Sequence, residues 1–409
     1  MGKKIVIAAG LLALASWLGG RILASYHSPL SDFVRFLCFP FFTIVFLVTL
    51  FALRTRRSGL APAARTAFRW VRIAVLSGIV IFGVAVFWPR SYGTPTLTIR
   101  PGTRYWDLPT GSRIAYTLIP GKGNKKPFPI ICLHGGPGGA FGDASIRLLS
   151  PLADDGYDIY LYDQIGSGLS DHLQDIREYS AARHRRDLEA IVQQLRVPKV
   201  ILMGHSWGAI LAALYAADNP EKLDGLILTG PGPIYPIRPE LARLPSPDSL
   251  HLRMPYYSNR QGNDQANNIR TRAMAFFATK FGIRLASDRE ADDFAGYLGS
   301  LVDRSTVFDT SRIRGMGPAA GAGYYSGVMT FHSLFSIADP RPKLRNSPIR
   351  LLVLKGQYDN QEWGYTHEYL ELFPNNTLLV LPNAGHALSS EQPVLFLAAI
   401  RDFLKSIDK

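Results

Sequence analysis

The stretch "VILMGHSWGAILAALYA", residues 200–216, decides the fold. It opens as a short apolar run, halts at Gly204, and resumes after Gly208 as an alanine-rich helical pattern. A continuous apolar run of that length reads as a strand covered on both faces, and the pattern after it as a buried helix. Between them, Gly204-His205-Ser206-Trp207-Gly208 fits G-x-S-x-G in the strand-to-helix context that the motif requires. Glycine on both sides lets the backbone turn sharply. Ser206 is then presented at the carboxyl end of a sheet, at the positive end of the following helix.

Outward from this hinge the same alternation recurs. "PIICLHGG", "YDIYLYDQ", "KVILMGHS", "LDGLILTG", "IRLLVLKG" and "NTLLVLPN" read as strands of a parallel sheet. "ASIRLLSPLADD", "SAARHRRDLEAIVQQL", "WGAILAALYAAD", "YTHEYLELF" and "PVLFLAAIRDFLKSI" read as the helices on its two faces. "TLTIR" and "RIAYTLIP" are expected to add early antiparallel strands. From 233 to 346 no strand of that quality occurs, so this segment is expected to be a helical cap over the sheet. The fold class is therefore α/β, with a core of residues 91–232 and 347–409 and a cap of residues 233–346.

A serine hydroxyl is a weak nucleophile until a base takes its proton, and the base needs an orienting carboxylate. "LLVLKGQYDN" ends one strand at Asp359, and "LLVLPNAGHAL" ends the next at His386. The order Ser206, Asp359, His386 is the chain order of α/β-hydrolases. Glu362 is the nearest rival acid but lies further beyond its strand. His205 is expected to pack, and His172, His184, His251, His332 and His367 to be structural. "HGGPGG", residues 134–139, supplies backbone N–H groups, and the amides of Gly136 and Trp207 are the pair expected to form an oxyanion hole. The loop lacks the G-K-[ST] ending of a nucleotide-binding turn. With two cysteines, Cys38 and Cys132, in apolar runs, neither a metal site nor a disulfide is expected, and no cofactor is implied.

"HGGPGG", "DQIGSGLS", "GHSWG", "GQYD" and "AGH" together resemble the proline iminopeptidase family of α/β-hydrolases over roughly residues 114–404, the cap excepted. The resemblance implies Ser206 as nucleophile, Asp359 as acid, His386 as base, and Gly136 with Trp207 as oxyanion hole. Two departures stand out. Ile165 replaces the arginine of the family's D-Q-R-G motif, and the cap has no tryptophan where the family has a Trp-Glu pair that binds the substrate's α-amine. Glu240, Glu290, Asp292 and Asp293 are the cap acids available for that task.

The net charge of +13 is concentrated at one end. Residues 1–90 hold eleven Lys and Arg against Asp32 alone, so they carry +10 and the rest of the chain is nearly neutral. Apolar segments within them predict membrane helices at about 5–24, 33–53 and 71–89, with Trp17, Trp70 and Trp88 near the segment ends. The arginine-rich loop after the second segment predicts a cytoplasmic face there. A bacterial multi-pass protein with its hydrolase domain outside the cytoplasm follows; a cleaved signal peptide in place of the first span leaves the domain on the same side.

The expected function is hydrolysis of an amide or ester through an acyl-enzyme, on a short peptide or small molecule, by an aminopeptidase or a carboxylic-ester or lipid acyl hydrolase. The expected partners are that substrate and the lipid bilayer, with no nucleic acid. A non-catalytic membrane-anchored binding protein is the alternative from another class, which three intact site residues argue against.

Overall fold

The computed structural model describes residues 62–311 and 317–407. They fall into two compact units, one formed by residues 91–266 with 282 onward, the other by the end of the leader with residues 267–281.

The larger unit is built on an eight-stranded sheet in the order β1-β2-β4-β3-β5-β6-β7-β8. The strands are β1 (Thr103–Asp107), β2 (Arg113–Ile119), β3 (Ile130–Leu133), β4 (Ile159–Tyr162), β5 (Val200–His205), β6 (Leu223–Thr229), β7 (Arg350–Gly356) and β8 (Asn376–Leu381). β1 and β2 pair antiparallel with each other, and β2 antiparallel with β4; every other pair is parallel. All four residues of β3 are buried, as are five of the six of β5, which is why they read as continuous apolar runs rather than alternating ones. β8 is the exception, alternating between half-buried and exposed at the sheet edge.

Helices Ala181–Leu195, Trp207–Asp218, Trp363–Leu372 and Pro393–Ile407 occupy the expected places. Ser180 caps the first of them by accepting a hydrogen bond from the Arg183 amide. The expected strand "TLTIR" is not formed. Pro101 and Gly102, the latter at φ 79°, turn the chain there, and Arg100 is drawn inward to the Asp163 carboxylate at 2.9 Å; the first strand starts at Thr103 instead.

In the cap, residues 233–266 and 282–346 carry helices Asn259–Ala266, Asp288–Val302 and Tyr324–Ser333 and no strand among the described residues. Helix Ile269–Phe281, which the sequence assigns to the cap, groups instead with helix Pro62–Phe87 in the smaller unit. There Arg270, 2% exposed, donates through Nη1 to the Val86 carbonyl at 2.6 Å.

Of the expected membrane spans, about 5–24 and 33–53 lie outside the described residues. The third, about 71–89, falls on helix Pro62–Phe87, and among the described residues no helix is long and apolar enough to cross a membrane. Arg65, Arg69 and Arg72 occupy the first half of this helix. The charge-free remainder, residues 73–87, gives about 22 Å of helix against about 30 Å of hydrocarbon. The crossing expected at 71–89 is corrected on that ground.

Candidate active site

Ser206 sits between β5 and helix Trp207–Asp218 at φ 54° and ψ −113°, a backbone conformation that non-glycine residues rarely adopt. The two flanking glycines show why the turn closes. A Cβ on Gly204 would come within 2.3 Å of the Gly208 carbonyl oxygen, and one on Gly208 within 2.2 Å of the Leu133 carbonyl oxygen. Ser206 is tied to the next strand by its amide, which donates to the Thr229 carbonyl at 3.0 Å.

Asp359 and His386, from the ends of β7 and β8, meet through Oδ1 and Nδ1 at 2.8 Å. Both stand against Gly230, the residue after Thr229, where an added Cβ would lie 2.8 Å from His386 Nδ1 and 3.2 Å from Asp359 Oδ2. The structure thus brings the loops of Ser206, Asp359 and His386 to one end of β5, β6 and β7. Asp359 is 3% exposed. Burial alone would raise its pKa, but the Lys355 ammonium 3.4 Å away, His386 and the Gln361 amide together hold the carboxyl below the usual carboxylate range. An ionised Asp359 has no proton to give, so the hydrogen of this 2.8 Å contact is carried by His386 Nδ1.

His205 packs as expected. Its Nδ1 lies 3.0 Å from Thr229 Oγ1, and its ring stands 4.7 Å from that of His386. Burial, reinforced by the charge of His386, lowers its pKa to about 3, so His205 stays neutral beside the His386 ring. His184 is likewise structural, bonded to Thr330 Oγ1 at 2.9 Å and lowered to about 3 by burial. Glu362, the rival acid, occupies the N-cap position of helix Trp363–Leu372, where its side chain makes no capping hydrogen bond.

The glycine loop after β3 is braced from three sides. The Gln164 amide donates to His134 Nε2 at 2.9 Å, while the Gln164 side chain donates to the His134 carbonyl and accepts from Trp207 Nε1 at 2.8 Å. One residue thereby fixes both the loop of Gly136 and the side chain of Trp207. Asp163 holds the same region through Arg100, the Phe141 amide and the Leu169 amide. The third brace comes from the cap, where the Gly323 amide donates to the Gly138 carbonyl at 2.7 Å and a Cβ on Gly323 would strike the Gly166 carbonyl. The cap stretch "GYYSGVMTFHSLF" therefore seats on this loop through its small residues. Ile165 is buried, and its carbonyl accepts from Ser326 of that cap helix at 2.8 Å.

Two of the cap acids are engaged elsewhere. Asp292 bonds His172 Nε2 at 2.8 Å and the Tyr324 amide, and Asp293 accepts from the amides of Tyr92 and Thr94. Among the cap carboxylates it is Asp303 whose charge reaches His386; its side chain is exposed, yet the burial around it pushes its pKa up to about 6, against the pull of His386. Nothing local in the sequence distinguishes Asp303. Lys355 too was legible only as the last charged residue of an apolar strand. Among the described residues no group of His, Cys, Asp and Glu is placed to hold a metal ion.

Residues 129–393 match the family model for the alpha/beta hydrolase fold, and the chain belongs to that family. It is a hydrolase that resembles proline iminopeptidases. A proline iminopeptidase of Heyndrickxia coagulans is 27% identical over 305 residues, which cover 73% of this chain and 97% of that protein. The solved structure of a proline iminopeptidase from Mycobacterium smegmatis aligns at 21% identity and a TM-score of 0.48 over 75% of this chain and 98% of its own. An esterase from Exiguobacterium antarcticum aligns at 18% identity and a TM-score of 0.49, over 74% and 98% respectively.

Proposed function

We propose that this hydrolase is a serine enzyme that cleaves a small amide or ester through an acyl-enzyme. The observation that carries the reading is the 2.8 Å contact of His386 with a buried Asp359 at the strand ends where Ser206 turns. His386 Nε2 takes the Ser206 hydroxyl proton as Oγ bonds to the substrate carbonyl carbon. The oxygen that gains charge is received by the Gly136 and Trp207 amides, each worth about 2.7 to 4 kcal/mol of barrier. His386 then passes its proton to the leaving amine or alcohol as the old bond breaks. Water, deprotonated by the same imidazole, releases the acid and restores Ser206.

Within this reading we favour an aminopeptidase. The relative from Heyndrickxia coagulans supports it, and Asp303 is a cap carboxylate suited to a substrate's free ammonium group. An acyl esterase is the second reading, favoured by Phe331 and Phe335, exposed at and just after the end of the cap helix Tyr324–Ser333. The leader is read as a membrane attachment through segments about 5–24 and 33–53.

The test is a panel of prolyl and alanyl arylamides against short and long acyl esters. Ser206→Ala is expected to abolish turnover and fluorophosphonate labelling while the protein stays folded; retained turnover removes Ser206 from the mechanism. For aminoacyl substrates KM is expected to rise as pH falls through about 6, where Asp303 takes a proton, whereas KM for neutral esters stays flat. Parallel profiles for the two substrate classes would leave Asp303 without this role.

A further inference from the structure

The hydrogen bonds around Glu391 have no part in the chemistry just described. This residue ends the short helix Leu388–Glu391, five positions after His386, and is 8% exposed. Its carboxylate faces three backbone donors. Oε2 accepts from the Gly385 amide at 2.7 Å, Oε1 from the Asp309 amide at 3.1 Å, and both oxygens lie 3.0 Å from the Phe308 amide. Gly385 is the residue immediately before His386. Phe308 and Asp309 belong to the cap.

That cap segment touches both members of the Asp359–His386 pair through their neighbours. The Thr306 carbonyl accepts from the Ala387 amide at 2.8 Å, and a Cβ on Gly385 would meet the Thr306 oxygen at 2.3 Å. On the other side, Asn360 Nδ2 donates to the Ser305 carbonyl at 3.3 Å, and the Phe308 ring lies 4.5 Å from that of Tyr358. Residues 305–309 therefore form a strap across the loops on either side of the pair, with Glu391 as its ionic anchor. Charge-assisted bonds to several amides are the strong kind, and they fix backbone rather than a flexible side chain.

We propose that Glu391 is a positioning residue for hydrolysis, clamping residues 305–309 of the cap to the His386 loop so that the imidazole is held in register with Asp359 and Ser206. The inference rests on His386 acting as the base. Gly385 has no side chain with which to brace the loop, so the brace comes from outside it. A displacement of about 1 Å at a reacting group costs roughly a hundredfold in rate.

The experiment compares Glu391→Gln, Glu391→Asp and Glu391→Ala with the full-length parent, each preparation titrated with a fluorophosphonate so that turnover is expressed per reactive site. Glutamine keeps the shape but turns an N–H donor toward a backbone donor. Aspartate keeps the charge but is too short to reach both sides, and it remains informative should the other two fail to fold. The expected result is a fall in kcat per titrated site of roughly ten- to a hundredfold, with KM for a small ester unchanged. A purely structural role would lower the melting temperature and leave kcat per site at the parent value, and that outcome in the folded variants overturns the proposal. Ser206→Ala run in parallel keeps the two ideas apart: its retained activity would defeat the serine mechanism whatever Glu391 does.

Discussion

Lys355 is the residue on which the ionisation of Asp359 rests. It is 2% exposed on β7, donates to the Gln361 carbonyl at 2.8 Å, and stands 3.4 Å from Asp359 Oδ2, an oxygen with no hydrogen-bond partner among the described residues. Removing one member of a buried pair leaves the other desolvated and uncompensated, at a cost of about 3 to 5 kcal/mol. Lys355→Met is expected to lose stability of that order in urea unfolding near neutral pH. The sign of its pH dependence follows from Asp359. A carboxyl held below its unfolded pKa, roughly 3.9, contributes stability above that pH and loses it as pH falls through the folded value. The variant's Asp359 titrates higher, so the gap to the parent should be widest near neutrality and close in acid, as pH falls below the variant's pKa. A gap independent of pH would mean that Lys355 acts by packing alone. In the sequence, Asp359 and His386 were legible because each closes an apolar strand. Lys355, Asp303 and Glu391 were not, because a buried partner is defined by what faces it across the fold.

At the scale of elements, the fold depends on how closely backbone approaches backbone around the glycine-rich turns. Helix Trp207–Asp218 lies against β3 at Gly208, where a single methyl group would meet the Leu133 carbonyl oxygen at 2.2 Å. Neither side can retreat, since β3 is paired on both edges and the helix is buried along nearly its whole length. Gly208→Ala is expected to cost about 1 to 3 kcal/mol or more by overpacking, and to depress turnover by moving Ser206. Gly299 supplies the contrast within helix Asp288–Val302, where an added Cβ would find nothing within 4 Å. There Gly299→Ala should raise stability by roughly 0.5 to 1 kcal/mol through helix propensity. Melting temperatures shifting in the same direction for both variants would contradict the account. The parallel strands and their helices were legible because periodicity is a local signal. The missing "TLTIR" strand was not, because the inward pull on Arg100 comes from Asp163, distant in the chain.

At the scale of the whole molecule, charge asymmetry marks off the leader, but it does not show that residues 267–281 group with it. Helix Ile269–Phe281 buries Ala273, Met274 and Ala278 completely, and Arg270 donates to the Val86 carbonyl. Pairing between segments so far apart leaves no periodic trace, and the sequence alone points to a clean cut near residue 91. The structure argues against that cut. A chain beginning at Tyr92 loses the Val86 acceptor and the helix surface against which residues 267–281 pack, so apolar side chains of Ile269–Phe281 would face solvent. It is expected to melt several degrees below the full-length protein in the same detergent, about 2 to 4 °C for each kcal/mol lost, and to bind more of a hydrophobic dye. The same pair of proteins tests the membrane reading, because only the full-length chain should remain with the membrane fraction after an alkaline wash. Equal melting temperatures and equal dye binding would show that the leader contributes nothing to the packing of residues 267–281. Release of the full-length chain by the wash would remove the case for a membrane tether, leaving the exposed Trp70, Val80, Ile81 and Trp88 of the leader to be covered by another apolar partner.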